Sequence, residues 1–168
     1  AIAYTLKLAK AQRVRNFMIL PAMRLIPPAI EALVSSGAKI DGFIYPGHVA
    51  TILGHRVFDE LSRKIGVPGV ISGFEPEDVL LSTVILLEMI SEGRGGAINE
   101  YRRSVRLGGN EGAKKCMDEV FDVTDGRWRG IGEIPKSALI PKEAYEEFDA
   151  VKRFKLDIEP VSEPPGCR

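Results

Sequence analysis

The sequence predicts an α/β fold: a three-layer α/β/α arrangement around a mostly parallel sheet, with a small irregular or antiparallel excursion near the carboxyl end. Three observations support this. Short apolar runs alternate with helical patterns, glycine and proline separate the two, and 45% of the 168 residues are hydrophobic. Strands that alternate with helices usually pair in parallel and carry helices on both faces of the sheet.

The first predicted elements are a helix over residues 1–11, a short buried strand over residues 16–20, and a second helix that Pro27 and Pro28 open and Gly37 ends. The second strand covers residues 40–45 and ends at Pro46 and Gly47. One or two helical segments follow over residues 48–65, and residues 70–71 form a third, brief strand.

The clearest helix is predicted over residues 77–92, because Pro76 and three acidic residues mark its first turn. Its apolar residues cover most of its circumference, so we expect it to be a central helix packed on several sides. Two further helices are predicted over residues 97–107 and 110–121. Residues 122–141 form the antiparallel excursion, and a short helix covers residues 141–154. Residues 1–155 would thus form one α/β domain, and residues 156–168 a connector.

The composition excludes several classes of function. The 23 basic and 23 acidic residues cancel, so no overall positive field favours nucleic acid or an anionic membrane surface. No apolar run reaches the length of a membrane span, the first residues do not resemble a signal peptide, and two cysteines are too few for a disulfide framework. We therefore expect a cytoplasmic protein. No phosphate-loop, dinucleotide or paired-cysteine motif is present.

The predicted sheet also predicts where a site lies. In open α/β sheets, ligands bind beyond the carboxyl ends of the strands. The loops over residues 21–24, 46–48 and 73–75 should therefore share one rim. His48 follows a strand and begins a helix, where a neutral imidazole is favoured. It is either a functional side chain or a cap, and Glu75 either caps its helix or projects into the rim beside His48. His55 is interpreted as a surface residue.

Three other groups have two interpretations each. Asn99, Tyr101, Arg102, Arg103 and Arg106 place several donors on one predicted helix, which suits a phosphate, a carboxylate or an acidic partner, or simply a solvated face. Trp128, the only tryptophan, lies between two arginines and is either a partner surface or a core anchor. Cys116 lies on an apolar helix side, where a buried, inert thiol is expected.

Several short segments, taken together, resemble the HypD family of hydrogenase maturation proteins. The quartet Pro46-Gly47-His48-Val49 and the run from Gly73 to Asp78 are the most distinctive of them. In order and spacing, the matching segments are residues 41–54, 73–78, 99–102, 109–110, 128–132, 148–150 and 166–168. The resemblance covers nearly the whole chain. Met23, Ala50 and Ala138 depart from the residues common in the family.

The resemblance implies a cytoplasmic scaffold that helps to assemble the Fe(CN)2CO unit of [NiFe] hydrogenases with a HypC-like chaperone and a HypE-like cyanide donor. It implies two α/β domains that face a cleft and an iron-sulfur region, a 4Fe-4S cluster site, in the full-length protein. This chain would be the second domain and the connector after it. A redox role for the full-length protein stays open, and no nucleic acid or membrane partner is implied.

By the same resemblance, His48 and Glu75 are the expected catalytic residues, which position the iron-cyanide unit or exchange protons with it. Cys167 matches a cluster ligand, acting only in the full-length protein. The expected cleft or partner-binding residues are Pro46, Gly47, Val49, Asn99, Tyr101, Arg102, Trp128 and Arg129.

One cysteine cannot hold a cluster, which needs about four thiolates. We therefore expect this chain alone to bind no cofactor and to catalyse nothing. The alternative function is a small-anion-binding α/β domain that uses helix N-termini at the same rim, without metal chemistry. A histidine-based hydrolase ranks last, because no nucleophile is identifiable.

Overall fold

The computed structural model describes residues 1–157. Within them the chain forms two compact units. The sheet unit is Leu33–Lys114, and the hairpin unit combines Ala1–Ala32 with the described residues from Lys115 onward. The elements in chain order are α1 (Ile2–Ala11), α2 (Ile26–Ser35), β1 (Phe43–Pro46), α3 (Gly47–Leu53), α4 (His55–Ile65), β2 (Gly69–Ser72), α5 (Pro76–Ser91), β3 (Ala97–Asn99), α6 (Glu111–Val120), β4 (Phe121–Trp128), β5 (Gly132–Pro141), a 3-10 helix (Glu143–Phe148) and α7 (Ala150–Arg153).

The sheet unit contains a parallel sheet in the order β1-β2-β3. Pro46 pairs with Ser72, and Ile71 pairs with Asn99, so the carboxyl ends of all three strands lie along one edge. Val70 and Ile71 in the central strand are completely buried. Since neighbouring residues of a strand face opposite sides, both faces of the sheet are covered. The predicted α/β class with a parallel sheet is confirmed.

Helices pack on both faces of this sheet. On one face, the buried Tyr45 lies with its ring centroid 4.8 Å from that of Phe58 in α4 and hydrogen-bonds Ser62 of the same helix over 2.7 Å. On the other face, a Cβ built on Gly42 would lie 3.1 Å from the Cδ1 of Ile90 in α5. This glycine immediately precedes β1 and lies three residues before Tyr45, so the alternation of an extended chain puts the two on opposite faces. The layers are therefore α4, sheet and α5.

The hairpin unit is built on the antiparallel pair β4 and β5, as predicted for residues 122–141. Its core is a cluster of buried side chains from α1, the end of α6, the start of β4 and the 3-10 helix. The apolar members that are buried are Ala3, Leu6, Ala9, Val120, Phe121, Tyr145 and Phe148. Cys116 packs against this cluster as a partly buried residue, which fits the expected structural thiol. Cys167 lies outside the described residues.

Two predicted elements are wrong. Residues 16–20 form no strand of the parallel sheet; Ile19 makes only an isolated bridge with Asp149 in the hairpin unit, where it and Phe17 pack against the core. Residues 97–107 are not helical, because Ala97–Asn99 is the third parallel strand and turns follow it. A short apolar run has no periodicity long enough to distinguish a strand from packed irregular chain or helix.

The helix α5 is confirmed over Pro76–Ser91, but the expectation that it is packed on several sides is wrong for the described chain. Leu80, Val84 and Leu87 are 68%, 52% and 61% exposed, whereas Met89, on the side facing the sheet, is 1% exposed. Leu80, Val84 and Leu87 therefore mark an apolar face of α5 that is more than half exposed within residues 1–157. No helix in the described part of the chain is both long and apolar enough to span a bilayer.

Candidate functional site

The rim of the parallel sheet brings two of the predicted loops together. Pro46 at the end of β1 and Ser72 at the end of β2 are paired in register. The helix α3 begins at Gly47, immediately after the first strand, and α5 begins at Pro76, a short turn after the second. His48 and Glu75 therefore extend from the same edge of the sheet, as the sequence predicts.

An aromatic contact joins these two loops directly. The His48 imidazole and the Phe74 ring have centroids 5.2 Å apart, and the Phe74 ring meets the Tyr101 ring edge-on at 6.4 Å. Phe74 is nevertheless 60% exposed, so one side of its ring faces solvent beside the imidazole. Exposed aromatic side chains fixed at a loop edge offer contact area to a ligand or partner. Phe74 was not among the predicted site residues.

The exposed Glu75 serves as the N-cap of α5 and has an extended backbone conformation. It forms a capping box with Asp78, and the Asp78 Oδ2 accepts a hydrogen bond from the Glu75 backbone nitrogen over 3.3 Å. The capping interpretation of Glu75 is therefore supported. Because the residue is also exposed at the rim, its position suits the second interpretation as well.

Asp78 forms an ion pair with Arg103, and the pair links the first turn of α5 to the turns after β3. The Arg103 Nη1 lies 2.8 Å from Asp78 Oδ1, and Nη2 lies 2.5 Å from Oδ2. The Asp78 side chain is 8% exposed. Hydrogen bonding from Arg103 holds the pKa of Asp78 below its ordinary value, and the same contact raises the pKa of Arg103. This corner of the rim stays a fixed charge pair at neutral pH.

The other predicted cleft residues of the sheet unit lie at the end of β3, in the turn after it, or in α3. The Asn99 Nδ2 donates to the Val105 carbonyl over 3.0 Å, and the Arg102 Nε donates to the Asn99 carbonyl over 3.2 Å. Asn99 is the last residue of β3 and Arg102 lies in the turn after it, so neither donor lies on the predicted helix. Tyr101 lies at the rim, as the aromatic contact shows. Val49 is half-buried in the first turn of α3.

The prediction that residues 21–24 form a third loop of the rim is wrong. Residues 21–24 follow no strand of the parallel sheet and belong to the hairpin unit, where Arg24 bridges Ala138. The loop after β3 completes the rim instead. Trp128 and Arg129 also belong to the hairpin unit; the half-buried Trp128 donates its Nε1–H to the Ser137 hydroxyl over 2.8 Å. Their expected role in partner binding stays a prediction.

The expectation that His55 is a surface residue is wrong, because it is half-buried. Its Nε2 lies 2.7 Å from the Ala97 carbonyl, so this nitrogen carries the proton and ties α4 to β3. Asp59, one turn further along α4, accepts a hydrogen bond from the Ala97 nitrogen over 2.8 Å. No sequence signal marked this structural role, since the partner strand was predicted as helix.

The described residues do not fit an iron-sulfur cluster. No group of three or more histidine, cysteine, aspartate or glutamate side chains among residues 1–157 could hold a metal ion. Cys116 packs against the core of the hairpin unit, and the family-matched Cys167 lies outside the described residues. A cluster needs about four thiolates, which a chain with two cysteines cannot supply.

Comparison with known proteins gives one consistent family. The family model described as "HypD: Hydrogenase formation hypA family" matches residues 1–168. The chain is similar to the hydrogenase maturation factor HypD of Cupriavidus necator, 38% identical over an alignment that covers 98% of this chain and 46% of that protein. The Azotobacter vinelandii factor is 36% identical, over 96% of this chain and 45% of that protein, and the Rhodobacter capsulatus factor is 33% identical, over 98% and 45%. The chain spans about half the length of these curated relatives.

Proposed function

The chain belongs to the HypD family of hydrogenase formation proteins, and we propose that it forms one wall of the cleft in which a [NiFe] hydrogenase maturation scaffold holds its iron cargo. The cargo is the Fe(CN)2CO unit. The partners proposed for the assembled scaffold are a HypC-like chaperone and a HypE-like cyanide donor. The observation that carries the proposal is the placement of His48 and Glu75 on adjacent loops at one sheet edge.

The chemistry proposed for these residues is positioning and proton exchange. A cyanide ligand on iron exposes a nitrogen that accepts hydrogen bonds, and the exposed His48 imidazole can donate one. The Glu75 carboxylate can accept a proton from a group bound beside it. In this proposal both side chains act on a cargo delivered by partners.

Phe74 adds an apolar surface to this wall. Its ring is 60% exposed and lies beside the imidazole, so a cargo seated there contacts an apolar face on one side and hydrogen-bonding groups on the other. Binding sites for small ligands commonly combine an apolar wall with a few placed polar groups. We include Phe74 in the proposed site for this reason.

The test uses a family-length chain that contains this segment, co-expressed with both partners. Infrared spectroscopy of the purified complex measures the cyanide and carbonyl stretching bands of the cargo. We expect His48→Ala and Glu75→Gln each to lower the intensity of these bands per protein. Glu77→Gln, at an exposed acid in the first turn of the helix that Glu75 caps, should leave them unchanged. Full-intensity bands in His48→Ala would remove His48 from the mechanism.

A cavity in the sheet unit favours the alternative, an anion-binding domain. It has a volume of about 460 Å³ and lies one turn along α3 from His48, lined by Thr51, Ile52, Ser104, Arg106, Gly109, Asn110 and Glu111. Arg106 and the Ser104 hydroxyl are suitable donors to a phosphate, whereas the Thr51 hydroxyl donates its proton to the His48 carbonyl over 2.7 Å. Calorimetry with inorganic phosphate at low and high salt tests this alternative, which requires saturable binding that Arg106→Gln abolishes.

A further inference from the structure

The Tyr101 ring stands between the two turns that carry the proposed site. A Cβ built on Gly47 would lie 2.7 Å from Tyr101 Cδ1, and a Cβ built on Gly73 would lie 2.7 Å from Cδ2. These carbons lie on opposite edges of the ring. Cβ contacts closer than 3.0 Å essentially never occur, so the ring fits only because both turns have glycine at these positions.

Space, rather than backbone conformation, is the requirement at both glycines. Neither Gly47 nor Gly73 has a positive φ, and both are buried. An alanine could therefore adopt either backbone conformation, but its methyl group would displace the Tyr101 ring or a neighbouring backbone or carboxylate oxygen. The distance between the two turns is consequently fixed by the width of the Tyr101 ring that lies between them.

The ion pair described above holds the ring from a third direction. The Arg103 guanidinium carbon lies 4.4 Å from the Tyr101 ring centroid, in a cation-π arrangement. Arg103 is itself fixed by two hydrogen bonds to the buried Asp78 in the first turn of α5. The Tyr101 backbone nitrogen donates to the Ile71 carbonyl over 3.3 Å. The ring is therefore tied to β2 and to α5.

Each turn places one part of the proposed site immediately after its glycine. His48 follows Gly47, and Phe74 and Glu75 follow Gly73. The Phe74 ring contacts the Tyr101 ring and the His48 imidazole: its centroid lies 6.4 Å from that of Tyr101 and 5.2 Å from that of His48. A shift of the Tyr101 ring would thus be passed to the imidazole through Phe74 and through Gly47.

We propose that Tyr101 is a positioning residue, whose ring, clamped by the Asp78–Arg103 pair, sets the distance between His48 and Glu75. Its importance for maturation rests on the proposed function, but the geometric claim does not. In this proposal the aromatic ring of Tyr101 sets the distance, and its hydroxyl group has no part in the positioning. Arg103 contributes by stacking on the ring, so a change at Arg103 should alter the imidazole environment without removing any atom of the two turns.

The geometric claim is tested by NMR on the 168-residue chain with labelled histidine. The ring protons of His48 lie within reach of the Phe74 ring current, so their chemical shifts report this contact. We expect Tyr101→Leu to move them to the positions of an exposed imidazole and Tyr101→Phe to retain the native shifts. Tyr4→Leu, at a 66% exposed tyrosine of α1, is the matched control and should leave them unchanged.

A second variant keeps the test decisive if Tyr101→Leu does not fold. The Arg103 side chain is 52% exposed, so Arg103→Gln should fold, and we expect it to move the His48 resonances part of the way. If Tyr101→Leu folds and the His48 shifts stay native, the positioning role is wrong. If Tyr101→Leu does not fold, native His48 shifts in Arg103→Gln would overturn it.

The consequence for maturation is measured separately, in the family-length complex. We expect Tyr101→Leu to lower the cyanide and carbonyl bands and Tyr101→Phe to restore them. If the His48 resonances move but the bands do not change, the clamp exists and the proposed function of this rim is wrong. If the His48 resonances stay native in the folded variants, the clamp is wrong whatever the infrared bands show.

Discussion

Asp78 and Arg103 meet in a bidentate ion pair, with N···O distances of 2.8 Å and 2.5 Å, that joins the first turn of α5 to the turns after β3. The carboxylate also accepts a hydrogen bond from the Glu75 backbone nitrogen. One buried side chain therefore caps a helix, pairs with a cation and fixes the loop that carries Glu75. Several measurable properties of the chain depend on this and on similar contacts.

The first prediction concerns acid stability. Because Arg103 holds the pKa of Asp78 below its unfolded value of about 3.8, the folded state binds this proton more weakly than the unfolded chain does. The resulting stabilisation is fully present above pH 3.8 and is lost as the pH falls through the lower, folded-state pKa. We expect the stability difference between wild type and Asp78→Asn, measured by urea unfolding, to shrink on acidification over that interval.

The matched control is Glu77→Gln, in the same first turn but exposed. The free energy of unfolding of Glu77→Gln should differ little from that of the wild type at every pH. A difference for Asp78→Asn that is independent of pH would show that the lost contribution is not linked to ionisation of this carboxyl group.

The second prediction concerns the junction between α3 and α4. Gly54 has φ +94° and ψ 159°, a region essentially restricted to glycine, and a Cβ there would lie 2.5 Å from the Gly109 nitrogen. We expect Gly54→Ala to lower the free energy of unfolding by about 3 kcal/mol, from backbone strain and overpacking together. Thermal or urea unfolding measures this.

Gly66→Ala separates the two causes of that loss. Gly66 ends α4 in the left-handed conformation, with φ +70°, and has no atom within 4 Å of an added Cβ. Gly66→Ala should lower the free energy of unfolding by only about 1 kcal/mol, from backbone strain alone. Equal losses at the two glycines would contradict the close approach at Gly54.

The third prediction concerns the hydrogen bond between Tyr45 and Ser62, whose oxygens are 2.7 Å apart in the core of the sheet unit. Removing either hydroxyl leaves the other buried without this partner, at a cost of about 1–3 kcal/mol. We expect the double variant Tyr45→Phe/Ser62→Ala to be more stable than the sum of the single losses implies, with a coupling of about 1 kcal/mol. Additive losses in urea unfolding would show that the two hydroxyls do not interact.

The fourth prediction contrasts the two faces of α5. Met89 is 1% exposed and Leu80 is 68% exposed. We expect Met89→Ala to cost about 2–4 kcal/mol through a core cavity, and Leu80→Ala to change the free energy of unfolding by less than about 0.5 kcal/mol. A large loss for Leu80→Ala in this chain would show that the exposed face is covered in solution.

The pattern of elements was largely predictable, because most of its signals act within one turn of chain. Pro76 with its following acids marked the start of α5, and Gly66 marked the end of α4, each through local backbone chemistry. β3 was missed because three residues carry no periodicity, and its identity depends on pairing with β2. Residues 16–20 have the composition of a strand but pack in the hairpin unit without one.

The candidate site was predictable only in part. The rim rule placed His48 and Glu75 together from sequence, because parallel strands align their carboxyl ends. The contact of Phe74 with the imidazole and the pairing of Asp78 with Arg103, 25 residues apart, have no signature in the sequence. Side-chain contacts between separate loops depend on the exact register and twist of the sheet that carries the loops.

The sequence by itself determined the α/β class, the family and the edge of the sheet at which we propose the site. These follow from apolar patterning, helix caps and motif order, all of which are local properties of the chain. Only the tertiary structure decided that a tyrosine ring fills the space left by two glycines and that a buried carboxylate and an arginine hold it there. Packing between distant segments is specific to a few tenths of an ångström, and residue type alone does not encode which segments meet.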